Sequence, residues 1–169
     1  LTHEHILFDS SWPATRLPKA TDQAFFEKPV SQETLGRIRY YGAQNEDNAQ
    51  LFDVSTAIDE VTLYKQHGGV SLVEATSIGI ARDPLGLFRI SNATGVNIIM
   101  GASYYVADAH PPDMDRLSED DIVEQIIRDV TEGVDDTGIK SGVIGEIGCS
   151  WPLADNERKV LRASAQAQR

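Results

Sequence analysis

Four short, nearly continuous apolar runs, at about residues 2–8, 70–75, 96–100 and 141–147, alternate with stretches of helical periodicity. That alternation leaves few folds open. A run that is apolar on consecutive positions is buried on both faces, as the strands of a parallel sheet are when helices cover it. The intervening stretches carry helix signals. Ser55 is expected to cap a helix that runs to about His67, buries Ile58, Val61 and Tyr64, and stops at Gly68-Gly69. Asp83-Pro84 starts a second helix, which Gly95 ends. Ser118-Glu119-Asp120-Asp121 is a capped, acidic start to a third. There Ile122, Ile126 and Val130, with Val123, Ile127 and Val134 beside them, form one apolar stripe. Gly138 breaks the chain before the fourth run, and a last helix begins near Ala154 or Asp155.

Strand-helix repeats of this kind build either an open doubly wound sheet or part of an eight-fold barrel. A complete barrel needs roughly 250 residues; this chain has 169. Its last helix shows no stop signal before Arg169, and it begins with Leu1 in place of Met. The expectation is therefore an α/β fold: the N-terminal half, about four βα units, of a TIM-type (β/α)8 barrel, cut at both ends. Residues 9–53 are expected to form a long irregular loop or insertion on the active-site side, broken by Pro13, Pro18 and Pro29. Connections of that length in compact domains are usually functional. Residues 35–41 could hold a short strand or a turn of helix within it.

Charge narrows the function classes. The chain carries 26 acidic against 15 basic residues, a net charge of -11, with the basic residues scattered. Such a surface repels phosphate backbones and anionic lipid, so neither nucleic acid nor membrane is an expected partner. No apolar run approaches the roughly 18 residues of a spanning helix, and no signal peptide is visible. The lone Cys149 excludes an internal disulfide and fits a cytoplasmic setting. Neither a Gly-x-Gly-x-x-Gly turn nor a Gly-Lys-Ser/Thr phosphate loop is present.

The candidate chemistry lies at the ends of the runs. His3 and His5 are two apart, so on a strand both imidazoles share a face and can grip one metal ion. Packing under a loop is the plain alternative. Glu146, in Gly145-Glu146-Ile147-Gly148, ends the fourth run, where the sites of α/β proteins lie. Burying it unpaired costs several kcal/mol, so a metal ion, an arginine or backbone donors must compensate. Glu74 is the analogous acid at the end of the second run, read as structural, with Arg82 pairing to it or to Asp83. Tyr104 and Tyr105 end the third run and either line a substrate pocket or pack under the long segment. His67 reads as a helix cap, His110 has no evident partner, and Cys149 reads as an inert packed thiol.

Beyond this reading of the residues, Leu1-Thr2-His3-Glu4-His5 resembles the strand-one signature of the phosphotriesterase branch of the amidohydrolase superfamily. The stretches GVSLVEATSIGIARD (69–83), 96–104 and DTGIKSG (136–142) are similar to that branch in the same order. GVIGEIGCSWPL (142–153) is closer still to the phosphotriesterase-related proteins. The resemblance implies a (β/α)8 barrel with a two-metal, usually zinc, centre. His3 and His5 would bind the more buried ion. Where phosphotriesterases proper use a carbamylated lysine on strand four as the bridge, this chain has Gly145. The related proteins use a glutamate one place further on, here Glu146, and Lys140 lies too early for the role. Two further histidines and an aspartate that handles the proton of the attacking water would lie beyond Arg169, so the general base is expected outside this chain.

The expected activity is hydrolysis of an ester, lactone, phosphoester or amide bond, N-acyl taurine-like compounds included, by a metal-activated hydroxide attacking a small-molecule substrate. Pairing with a second copy as a homodimer stays open. The alternatives are a catalytically silent fragment, in which open sheet edges and an uncovered apolar face invite association, and a non-enzymatic α/β binding domain with incidental histidines.

Overall fold

The structure, a computed structural model, describes residues 1–12 and 19–169; Pro13 and Pro18 lie outside the described residues. It divides into two compact units, Phe8–Phe52 and Leu1–Leu7 with Asp53–Arg169.

In the smaller unit, β1 (Phe8–Asp9) pairs antiparallel with the segment Gln50–Leu51, with Phe8 opposite Leu51. Between them run α1 (Ala20–Phe26), α2 (Gln32–Ile38), a 3-10 turn (Gly42–Gln44) and α3 (Glu46–Ala49), and Gln50–Leu51 is β2. The stretch expected to be irregular is thus largely helical where it is described, and residues 35–41 take the helical option. Local chemistry explains the change. Ser31 caps α2, its backbone N–H donating to Thr34 Oγ1 at 2.8 Å. The buried Asn45 side chain donates to the carbonyls of Phe25 and Lys28 and accepts from Asn48 N–H, so one amide ties three turns together.

The larger unit holds α4 (Val54–Gln66), β3 (Ser71–Glu74), α5 (Pro84–Thr94), β4 (Asn97–Ala102), α6 (Glu119–Thr131), β5 (Val143–Ile144) and α7 (Asp155–Ala167). Its three strands are parallel, in the order β3-β4-β5, with Ser71 opposite Asn97 and Gly101 opposite Val143. Helical crossovers between adjacent parallel strands define an α/β fold. Asp83 and Ser118 cap α5 and α6 as expected. For α4 the cap is Asp53, whose Oδ1 accepts from Ser55 and Thr56 N–H at 2.8 and 3.3 Å. Ser55 sits inside the first turn, where its own amide is one of the donors needing a partner.

The first and fourth expected strands are shorter than their apolar runs. Residues 1–5 lie parallel to β3: Val73 N–H donates to Leu1 O, Glu4 N–H to Val73 O and Ala75 N–H to Glu4 O. At Ile6 the amide leaves the ladder and donates to Glu74 Oε1 at 3.1 Å, which ends the regular pairing. Just after β5, Gly145 adopts φ +142°, a conformation open to glycine and strained for other residues, and the chain turns across the sheet. Gly145 N–H still reaches Ala102 O, while Glu146 N–H reaches Ala75 O beyond the neighbouring strand. Gly101 permits this, since a β-carbon there would lie 2.0 Å from Gly145 O.

Two apolar clusters support the sheet. One joins Leu72 and Met100 to Val61, Leu87 and Ile90; the other joins Ala102 and Tyr104 to Ile122, Ile126 and Val160. Ile127, expected in the α6 stripe, is exposed, because the fifth residue after Ile122 rotates past the buried face. Arg82 pairs with neither Glu74 nor Asp83. Its Nη2 lies 2.8 Å from Asp129 Oδ2 on α6, both side chains buried, and its Nη1 donates to Gly101 O. Asp83 is committed to the α5 cap and Glu74 to nearby donors.

Candidate metal centre

The turn after β5 and the segment beside β3 bring three side chains together at the C-terminal ends of the strands. His3 Nε2 lies 2.9 Å from Glu146 Oε2, and His5 Nε2 lies 3.5 Å from Glu146 Oε1. The two imidazole rings meet edge to face, with centroids 5.2 Å apart. One ligand atom from each of the three residues falls within 4.8 Å of the others. His3 is the most exposed of the trio, and His5 and Glu146 are partly buried. Burial pushes the His5 imidazole below its ordinary range, the Glu146 charge opposes that shift, and the neighbouring His3 adds to it. A neutral imidazole is the form that ligates a metal.

The donor set fits a divalent cation. Two imidazoles and a carboxylate are zinc-type ligands. Glu146 Oε1 is buried and has no hydrogen-bond partner among the described residues, which is costly for a carboxylate oxygen unless a cation faces it.

Behind His5 stands a buried polar chain. His5 Nδ1 lies 3.0 Å from Thr76 Oγ1, and Thr76 Oγ1 donates to Glu74 Oε1. Glu74 also accepts from the backbone N–H groups of Ile6 and Thr76. Burial raises its carboxyl above the usual range, and these hydrogen bonds pull the other way. Thr76 was not singled out in the sequence, yet its position two residues after Glu74 in a strand-end segment is the signal that they share a side.

The tyrosines separate. Tyr104 packs into the cluster with Met114, Ile122 and Ile126, its ring edge-on to His110, and lines a cavity of about 690 Å³ together with Arg82 and Arg128. Tyr105 is half-buried, and burial followed by the Glu146 charge pushes its phenol up. His110 Nε2 lies 2.8 Å from Tyr105 O, a partner its sequence context does not reveal, and His67 Nδ1 lies 2.8 Å from Leu63 O at the end of α4. Cys149 is exposed, not packed, and its thiol is pushed up, first by what burial it has and then by Glu157.

Glu157 is a second residue that sequence reading passed over. Fully buried at the start of α7, it accepts from Ala107 N–H, Ser150 N–H, Ser150 Oγ–H and Ala154 N–H. Burial disfavours its charge, but the four donors outweigh burial and bring its pKa to about 2. It thereby clamps the loop that follows Glu146 to the loop that follows Tyr105. The visible signal is a glutamate three places after the last non-helical residue, Ala154, the capping-box position.

A parallel α/β unit that gathers two imidazoles and a carboxylate at the C-terminal ends of its strands places its candidate site where the active sites of α/β-barrel enzymes lie. The chain belongs to the Phosphotriesterase family, a family of divalent-metal enzymes, which matches it over residues 1–169. It is 40% identical over 171 residues to the human (Homo sapiens) N-acetyltaurine hydrolase, covering 99% of this chain and 48% of that protein. The crystal structure of a resiniferatoxin-binding protein from Rhodobacter sphaeroides superposes with a TM-score of 0.93 at 41% identity, covering 99% of this chain and 47% of that one. The phosphotriesterase homology protein of Escherichia coli, solved with phosphate in its active site, shares the fold at a TM-score of 0.75 and 21% identity, over 99% of this chain and 48% of that one. The chain spans about half the length of the curated relatives it matches. Its architecture is the N-terminal half of a (β/α)8 barrel, and among the described residues its strands do not close into a barrel. Among the described residues, no helix is long and apolar enough to cross a membrane.

Proposed function

We propose that this chain supplies one side of a divalent-metal hydrolase centre, from the segment beside β3 and the turn after β5, with His3 and His5 as ligands that would hold one ion and Glu146 as the carboxylate that would bridge to a second. The observation that carries the reading is the convergence of His3, His5 and Glu146 within 4.8 Å, around a buried carboxylate oxygen that no hydrogen bond among the described residues satisfies. Imidazole and carboxylate donors favour zinc. When bound, such ions polarise an electrophilic carbonyl or phosphorus centre and lower the pKa of water toward neutrality. The chain's own residues orient the ligands, and Tyr105, half-buried within the field of Glu146, borders the space where a small substrate would sit.

The relatives named N-acetyltaurine hydrolase favour an amide of N-acyl taurine type over ester, lactone or phosphoester substrates. The proposed setting is cytoplasmic, with a small molecule as partner and no nucleic acid or membrane; a homodimer is a further proposal. The test is metal analysis and turnover of N-acetyltaurine by the full-length protein. The expected result is about two zinc equivalents per protomer, with activity lost on chelation and in His3→Ala and Glu146→Ala. Full activity in both variants overturns the assignment. A binding role without turnover is the second reading, favoured by the name of the Rhodobacter relative; it predicts no hydrolysis by the zinc-loaded protein.

A further inference from the structure

The polar chain behind His5 fixes more than a position. Glu74 and Thr76 are both fully buried, so every proton in the chain must be placed within it. Glu74 Oε1 takes the amide proton of Ile6 and the hydroxyl proton of Thr76, and Oε2 takes the amide proton of Thr76. A threonine hydroxyl has a single proton. With that proton given to Glu74, only lone pairs of Thr76 Oγ1 face His5 Nδ1, 3.0 Å away. A hydrogen bond there requires the proton to sit on Nδ1. In a neutral imidazole this leaves Nε2 as the unprotonated nitrogen.

We infer that Thr76, oriented by Glu74, is a positioning residue that holds His5 in its Nδ1–H tautomer and so aims the Nε2 lone pair at the metal position. The far side of the ring agrees. His5 Nε2 and Glu146 Oε1 are 3.5 Å apart, and Glu146 Oε1 has no hydrogen-bond partner among the described residues. Two acceptors facing each other across that gap repel, and a cation between them turns the repulsion into coordination. The same carboxylate holds the Ile6 amide, so Glu74 sets both the ring tautomer and the backbone that carries the ring. The consequence for metal affinity rests on the metal-centre reading above; the tautomer is a property of the chain and does not.

The test is long-range proton–nitrogen correlation NMR of the metal-free full-length protein with labelled histidine, His5 being assigned by its loss in His5→Gln. The expected spectrum shows an unprotonated Nε2 for His5 in the wild type and in Thr76→Ser, which keeps the hydroxyl. Thr76→Val keeps the shape and removes the acceptor. It is expected to move His5 toward the Nε2–H tautomer and to weaken zinc binding in a chelator competition by roughly 10- to 100-fold, the usual cost of losing a partner behind a ligand. A wild-type His5 protonated at Nε2 overturns the inference without any variant being needed. So does a Thr76→Val protein with unchanged tautomer and unchanged zinc affinity. A tautomer that responds to Thr76→Val in a protein with no affinity for zinc supports the positioning role and overturns the metal reading instead.

Discussion

His3 and Glu146 stand far apart in the chain and meet with Nε2 2.9 Å from Oε2. The contact exists because the chain turns at Gly145 and carries Glu146 past β4 until its amide reaches the carbonyl of Ala75, just beyond the strand beside which residues 1–5 lie.

Glu146→Ala removes a ligand itself, so its cost in zinc affinity should exceed the roughly 10- to 100-fold loss seen when only a supporting partner is removed. Competition against a chromophoric chelator measures it. Affinity within a factor of two or so of the wild type would mean that the ion, if bound, sits elsewhere.

Glu157 should govern acid stability. Its folded pKa lies near 2, below the ordinary 4.5, so its contribution is complete above about pH 4.5 and is lost as pH falls toward 2. Urea unfolding at a series of pH values should show wild-type stability declining across that window, with a shallower decline in Glu157→Gln. Glu157→Ala at neutral pH takes the acceptor from three backbone N–H groups, while Ser150 Oγ–H keeps Pro152 O, and should cost about 3 kcal/mol. Parallel acid profiles for the wild type and Glu157→Gln would contradict this account.

The Arg82–Asp129 pair is buried on both sides. Asp129→Ala strands a guanidinium and should destabilise the fold by about 3–5 kcal/mol, whereas an apolar pair of matched volume at both positions should cost much less. Chemical denaturation of the single and double variants distinguishes a structural ion pair from a surface one, for which both losses would stay below about 1 kcal/mol.

On α6, Ile126→Ala should cost about 2–5 kcal/mol and Ile127→Ala about 0.5 kcal/mol or less, because the first side chain is 1% exposed and the second 43%. Equal losses in thermal or urea unfolding would show that the helix is rotated from the orientation described.

Legibility in the sequence followed the range of the interactions. The α6 start at Ser118 and the α5 start at Asp83 were readable because a cap and the amides that donate to it lie within one turn. Asp53 was missed as the α4 cap because Asp and Ser compete two residues apart, and only the backbone path shows which one precedes the first turn. The first and fourth strands read as longer than they are, since apolarity reports burial and says nothing about where a carboxylate such as Glu74 takes over a ladder hydrogen bond. Arg82 was assigned the wrong acid because nearness in sequence favoured Asp83 and Glu74, while α6 brings Asp129 to it across the sheet.

The order and period of apolar residues were enough to establish an α/β chain of strand-helix units and to mark His3, His5 and Glu146 as the side chains to watch, since periodicity and capping are properties of neighbours along the chain. Folding in three dimensions settled which of those side chains meet, which acid holds Arg82, that Thr76 stands behind His5 and that Glu157 clamps the loop after Glu146. Those outcomes depend on strand register, on the path of the chain at Gly145 and on buried donors finding acceptors across the sheet; local sequence can name the residues involved but not the partners they meet.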